Sequence, residues 1–275
     1  MFIRKIRKLR AARMIILNLM IACVLLLTGC GSNEASVHTT EPTKLIVSAA
    51  ASLQDVMAEV KAAFQSKNKD IDVQINYGSS GALQKQIEQG SPVDVFISAG
   101  TKPMNALVKA GLVEEKMKKA LLYNDLVVIV PGSSIAAWSS LDMLKQKDIS
   151  RIAIGAPESV PAGMYAEQTL KSAGLWDELN NKYVYTKDVR QVLSYVSTGN
   201  AEAGFVYRTD ALTTNKVVIA YPVKSDQHEP IIYPIGIIKN SKNTAAAQKW
   251  FDFMNGAETQ HLFKSQGFRT ATSSQ

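Results

Sequence analysis

The sequence predicts an α/β fold with mostly parallel sheets. Three observations predict it. β-prone runs alternate with helix-like runs along nearly the whole body of the chain. The helix-like runs carry apolar residues at three- and four-residue spacing. The turns from strand to helix hold glycine, small residues or side chains able to cap a helix, which is how βα units are joined.

Taken in order, LIVSA (45–49) is a strand and LQDVMAEVKAAF (53–64) is a helix. Leu53, Val56, Met57, Val60 and Phe64 fall on one face of that helix. IDVQIN (71–76) leads into ALQKQIEQ (82–89), where Leu83 and Ile87 mark the buried stripe and Gly90 the stop. VDVFIS (93–98) precedes a helix near 103–110 that ends at Gly111, and DLVVIV (125–130) is a strand ended by Pro131-Gly132. RIAIG (151–155) precedes a helix beginning around Gly163 and ending near Gly174. KYVYT (182–186) precedes VRQVLSYVST, with Val189, Val192, Leu193 and Val196 on one face and Gly199 after its end. AGFVY (203–207), VVIAY (217–221) and IIYPIGII (231–238) are strands, and AAAQKWFDFMNGAETQHLFKSQ is a helical tail.

The 275 residues carry 31 Lys+Arg against 24 Asp+Glu, a formal charge of +7. That excess does not point to nucleic acid. Arg4, Lys5, Arg7, Lys8, Arg10 and Arg13 lie ahead of an apolar run (14–28), with no acid before Glu34. A basic segment, an apolar segment and then small residues form a secretory signal. Leu27-Thr28-Gly29-Cys30 resembles a bacterial lipobox, in which Cys30 would be lipidated and become the first mature residue. The alternative is a retained membrane anchor, but the run is shorter than the roughly 18 residues that a span needs. Without residues 1–29 the chain has 25 basic and 24 acidic residues, a net charge of +1. The sequence therefore divides into a signal peptide (1–29), a polar tether (30–43) and a body from Lys44. Cys23 leaves with the signal and Cys30 takes lipid, so the body has no thiol. A core of its own must hold it, and roughly 230 residues suffice.

Catalytic constellations are missing from the sequence. His38 lies in the tether, His228 in a loop near proline and His261 in the tail helix; none forms a metal pair or stands near a nucleophile motif. No carboxylate pair suggests acid–base work, and the chain reads as a non-enzyme without a cofactor. Four strand-to-helix turns stand out instead. SAAASLQD (48–55) puts Ser52 three residues before Asp55, a capping-box spacing. YGSSGAL (77–83) puts Ser80 just before a helix. In APESVPAGMY (156–165) Pro161 fixes φ beside Ala162-Gly163. In TKDVRQVL (186–193) Asp188 can cap and Val189 opens the helix. Each turn either serves only its own helix or faces a ligand. A helix start has unpaired N–H groups and a partial positive charge, so several converging starts would hold an anion without lysine or arginine.

AAASLQD (49–55), YGSSGALQKQIEQG (77–90), DVFISAG (94–100), NDLVVIVP (124–131), GAPESVPAGMYAEQTL (155–170), KDVRQVLSYVSTGNAEAGFVYRTDA (187–211) and YPIGIIKN (233–240) resemble the molybdate-binding proteins of ATP-binding-cassette uptake systems. The resemblance runs in order from about Lys44 to about Phe268. It implies a two-lobed, periplasmic-binding-protein-like fold of type 2 with the ligand in the cleft between lobes. Lobe 1 would be 44–124 plus 232–275 and lobe 2 would be 125–231, with crossings near Asn124-Asp125 and between Tyr221 and Tyr233. It also implies the site. Ser52 and Ser80 would bind molybdate by hydroxyl and N–H, Ala162 and Val189 by N–H, and Tyr207 by its phenol; Ser79 could share the work of Ser80. All five would touch oxygens of the oxyanion and none the metal directly. Arg190 and Arg208 are expected to be peripheral.

The function so implied is capture of molybdate, and of tungstate, by an exported monomer held to the outer face of the cell membrane through lipidated Cys30. Its partners would be a permease and the permease's ATPase, with no nucleic acid. Alternatives are a receptor for sulfate, thiosulfate or another oxyanion, an exported enzyme acting on an anionic substrate, and a purely structural surface lipoprotein.

Overall fold

The computed structural model describes residues 41–134 and 137–270. The proposed signal, Cys30 and most of the tether lie outside the described residues. Lobe 1 opens with β1 (Thr43–Ala50), a 3-10 turn (Ala51–Leu53) and α1 (Gln54–Lys67). It continues through β2 (Ile71–Gly78), α2 (Ser80–Glu88), β3 (Val95–Ile97), α3 (Thr101–Lys109) and β4 (Val113–Tyr123). The chain then crosses to β5 (Leu126–Pro131), β6 (Ile152–Gly155), α4 (Pro161–Ser172), β7 (Tyr183–Thr186), α5 (Val189–Ser197), β8 (Ala203–Tyr207), the short α6 (Arg208–Ala211) and β9 (Val217–Pro222). It returns to the first lobe with β10 (Ile232–Ile238), α7 (Thr244–Asn255), α8 (Ala257–Ser265) and β11 (Arg269–Thr270).

There are two sheets, ordered β11-β4-β10-β3-β1-β2 and β7-β6-β8-β5-β9. They follow one plan. Each has a parallel trio with its earliest strand in the middle, β2-β1-β3 and β7-β6-β8. Each then takes the strand that follows a crossing, β10 or β5, antiparallel beside the trio. The expectation of mostly parallel sheets is corrected by those strands. A chain arriving from the other lobe enters the sheet from the opposite end and pairs head to tail.

The α1 stripe is buried as its spacing predicts: Val56, Met57, Val60 and Phe64 are at most 2% exposed. Phe64 meets the Trp250 ring of α7 edge-on at 4.9 Å, which docks the tail on lobe 1. The tail is two helices, because Gly256 adopts an extended conformation (ψ 157°) and breaks the run. The helix expected near Gly163 begins at Pro161, which suits a first helical position because it has no N–H to leave unpaired.

The two crossings run side by side. Tyr123 pairs with Ile232, and the Asn124 N–H donates to the Ile231 carbonyl at 3.3 Å. Arg269 fastens this point with hydrogen bonds to the Asp125 carboxylate at 2.6 Å and the Asn124 carbonyl at 3.2 Å.

Candidate functional site

All five expected residues lie where a strand hands over to a helix, Tyr207 ahead of the short α6. At the end of β1 the chain tightens into the 3-10 turn that contains Ser52. Ser52 does not cap α1 with its side chain, which corrects the reading of its spacing to Asp55. Its Oγ lies 3.0 Å from the Tyr233 hydroxyl instead. After β2, the cap of α2 is Ser79, whose Oγ accepts the Ala82 N–H at 3.4 Å. Ser80 is thereby free of capping. Its Oγ accepts the Ala99 N–H at 2.9 Å, so its own proton remains to be given elsewhere. After β6, Gly155 and Gly163 let α4 lie hard against the strand: a Cβ on Gly163 would sit 1.8 Å from the Gly155 carbonyl oxygen. That close approach sets the height of Ala162. After β7, Asp188 caps α5 by accepting the Gln191 N–H at 2.9 Å, as expected, and Val189 opens the helix.

Tyr207 ends β8 and is 1% exposed. Its phenol donates to the Ala99 carbonyl of lobe 1 at 3.1 Å, so it spans the cleft. A phenol has one proton, and Tyr207 can serve an anion only by releasing that carbonyl.

Ser52, Ser80, Ala162, Val189 and Tyr207 line one small cavity, and Ser79 lines it with them. Measured for the centres of water-sized spheres, its volume is about 10 Å³. That is about the space of one water-sized sphere, too small for an organic solute. The helix-opening N–H groups of Ser80, Ala162 and Val189 have no intrahelical acceptor. Among the described residues, the one charged side chain in the lining is Asp188, and its carboxylate is occupied by the cap. Arg190 and Arg208 stand outside the lining. Burial holds the Tyr207 and Tyr233 phenols well above their ordinary pKa, so both remain neutral donors. The cavity is therefore lined by neutral hydroxyl and N–H donors, and its two acceptors, the Asp188 carboxylate and the Ala99 carbonyl, each already take a hydrogen bond from the protein. Such a lining suits a small anion, which needs donors and offers no proton.

Three further groups shape the chamber without having a signature in the sequence. Gly81 donates its N–H across the cleft to the Ser159 carbonyl at 2.9 Å. Tyr233, from the returning strand β10, stands behind Ser52. Asn124, at the crossing, donates from Nδ2 to the Thr209 hydroxyl at 2.8 Å and to the Tyr233 hydroxyl at 3.3 Å. No described helix is long and apolar enough to cross a membrane. Among the described residues, no group of three or more His, Cys, Asp or Glu could hold a metal ion.

The model of the bacterial extracellular solute-binding proteins matches residues 45–269. The chain belongs to that family. It is 43% identical over 244 residues to YvgL of Bacillus subtilis, named as a candidate ABC transporter substrate-binding lipoprotein; the match spans 89% of this chain and 93% of YvgL. It is 35% identical over 234 residues to the molybdate-binding protein ModA of Escherichia coli, across 82% of this chain and 88% of that one. Among solved structures it superposes on the periplasmic molybdate-binding protein of Azotobacter vinelandii with a TM-score of 0.74 and 25% identity, covering 82% of this chain and 98% of that chain. The two-lobed α/β architecture of this solute-binding protein is the one its relatives share, and the relatives named here are binding proteins and not enzymes.

Proposed function

We propose that this solute-binding protein captures molybdate in the cleft and hands it to an ABC permease driven by its ATPase. The observation that carries the proposal is the chamber: five residues from two lobes converge on a cavity with neutral donors and no cation. The similarity to ModA of Escherichia coli supports molybdate as the oxyanion. Ser52 and Ser80 would donate by hydroxyl and N–H, Ala162 and Val189 by N–H, and Tyr207 by its phenol once the anion replaces the Ala99 carbonyl. Each bond to a charged oxygen contributes about 1.5–3 kcal/mol, and a handful offsets the dehydration of a compact dianion. The lobes that close on it are 44–124 with 232–275, and 125–231. Tungstate, of nearly the same size and charge, would bind alike. Sulfate is smaller and would leave donors poorly met, and hydrogen phosphate carries a proton that would have to compete for the few acceptors of the lining, of which the Asp188 carboxylate is engaged in its helix cap. Export as a lipoprotein anchored through Cys30 is part of the same reading, supported by the lipobox.

Calorimetry of the body from Lys44 with molybdate, tungstate, sulfate and phosphate tests it. Tight binding of the first two alone is expected. No heat with molybdate, or equal affinity for sulfate, overturns the proposal.

A further inference from the structure

Ser52, Tyr233, Asn124 and Thr209 form one buried chain of hydrogen bonds that joins the chamber to the crossing between lobes; each is at most 6% exposed. Its direction is fixed from one end. The Asn124 Oδ1 accepts the Asp125 N–H at 2.9 Å, which identifies it as the oxygen of the amide. The other amide atom is then NH2, and its two protons go to Thr209 Oγ1 at 2.8 Å and to the Tyr233 hydroxyl oxygen at 3.3 Å. Tyr233 thus accepts from Asn124 and must place its own proton. Ser52 Oγ, at 3.0 Å, is its other hydrogen-bond partner. Were Ser52 to donate to Tyr233 as well, the buried phenol proton would be left only the neighbouring Tyr207 oxygen, which is off good hydrogen-bonding geometry, at a cost that buried donors rarely bear. Tyr233 therefore donates to Ser52, and the Ser52 proton is turned away from it, toward the cavity that Ser52 lines.

We propose that Asn124 and Tyr233 are positioning residues that fix the direction of the Ser52 hydroxyl, so that Ser52 offers the cleft a proton. The inference rests on the reading of the chamber as an oxyanion site. It adds a cause for selectivity: a serine left to itself turns to donate or accept, whereas a serine held by this chain favours an unprotonated oxyanion. The ring of Tyr233 is fixed by edge contacts with Tyr207 at 5.5 Å and Phe268 at 5.8 Å, so a phenylalanine there would keep the packing and lose only the relay.

Asn124→Asp reverses the chain. A carboxylate cannot donate, Tyr233 would turn its proton to it, and Ser52 would be drawn to donate to Tyr233 and not to the anion. Wild type, Asn124→Asp, Tyr233→Phe, Ser52→Ala and the double variant Asn124→Asp/Ser52→Ala are titrated with molybdate and with phosphate at neutral pH, after circular dichroism has shown each to be folded. Asn124→Asp is expected to weaken molybdate binding about tenfold or more, the loss of one donor to a charged partner. In the Ser52→Ala background the same change should cost clearly less, because its route through Ser52 is gone and only the repulsion between the new carboxylate and the anion remains. Tyr233→Phe should weaken molybdate binding and raise the affinity for phosphate relative to it. An equal loss from Asn124→Asp with and without Ser52, or molybdate-to-phosphate ratios unchanged in both single variants, overturns the inference and leaves the oxyanion reading standing. Failure of the wild type to bind molybdate overturns both. Should Asn124→Asp not fold, the Tyr233→Phe ratio decides alone.

Discussion

Arg190 of α5 reaches across the cleft to Asp55 of α1, with Nη1 2.9 Å from the carboxylate. The same guanidinium lies 3.4 Å from Asp210 of α6, which is fully buried. One cation thus joins an acid of its own lobe to an acid of the other, directly beside Val189 but outside the chamber lining. The Asp55 side chain is 48% exposed and that of Arg190 25%, so this pair belongs with the weak ones, worth about 0–1 kcal/mol.

Asp55→Asn should therefore lower ligand affinity by no more than about fivefold, and the difference should vanish as salt is raised. Stopped-flow titration at two ionic strengths checks this. A dissociation rate that rises while association stays constant would mark the pair as a brace of the closed form.

Ser80→Ala removes a donor to the anion and also leaves the Ala99 N–H without its acceptor. Tyr207→Phe removes the bond to the Ala99 carbonyl. Each should reduce oxyanion affinity by about ten- to a hundredfold, the equivalent of about 1.5–3 kcal/mol. Melting of the unliganded protein should change little for Tyr207→Phe and fall for Ser80→Ala by the cost of the unpaired Ala99 N–H. Calorimetry and thermal melts on the same samples separate the two effects.

Two glycines should fail in opposite ways. A Cβ on Gly81 would lie 2.5 Å from the Ser159 carbonyl oxygen, across the cleft. Gly81→Ala sits in the first turn of α2 with nothing strained about its own helix, so the unliganded melting temperature should hold while affinity falls, because closure is blocked. Gly163→Ala strikes the Gly155 carbonyl within its own lobe. It should lower the melting temperature by the cost of overpacking, about 1–3 kcal/mol or more, with or without ligand.

Asp210 gives a pH dependence. Burial raises its pKa from the ordinary 3.8 to about 7, with Arg190 pulling the other way. Its Oδ2 has no hydrogen-bond partner, which is consistent with a carboxyl that holds its proton. The folded state then binds a proton that the unfolded state releases, so stability from this group is complete below about pH 3.8 and is lost as pH rises through about 7. Asp210→Asn removes that dependence. The stability of wild type minus variant, followed by urea unfolding, should fall between those two pH values and level off above. A flat difference would show that Asp210 is ionised throughout.

The helices and the trio strands were legible because their apolar residues repeat with the period of the element. Strand β4 was not: VEEKMKKALLY is buried only at Val113, Leu121 and Leu122, and the charged residues between them hide the pattern. The antiparallel entries of β5 and β10 depend on which lobe the chain has just left, which no local period records. At the site, Asp188 and Val189 were legible because a cap and a helix start are local. Ser52 looked like a cap and is not one, because its hydroxyl is taken by Tyr233, 181 positions away in sequence. Asn124 and Tyr233 stayed hidden for the same reason: each is an ordinary residue until two distant segments are laid together.

The paired crossings have a mechanical consequence. Strands joined edge to edge, Tyr123 to Ile232 and Asn124 to Ile231, make a narrow strap that flexes across its width and resists swivelling. A single connecting thread would let one half of the molecule wander over a cone of directions. This strap leaves it one arc, like the cover of a book along its spine.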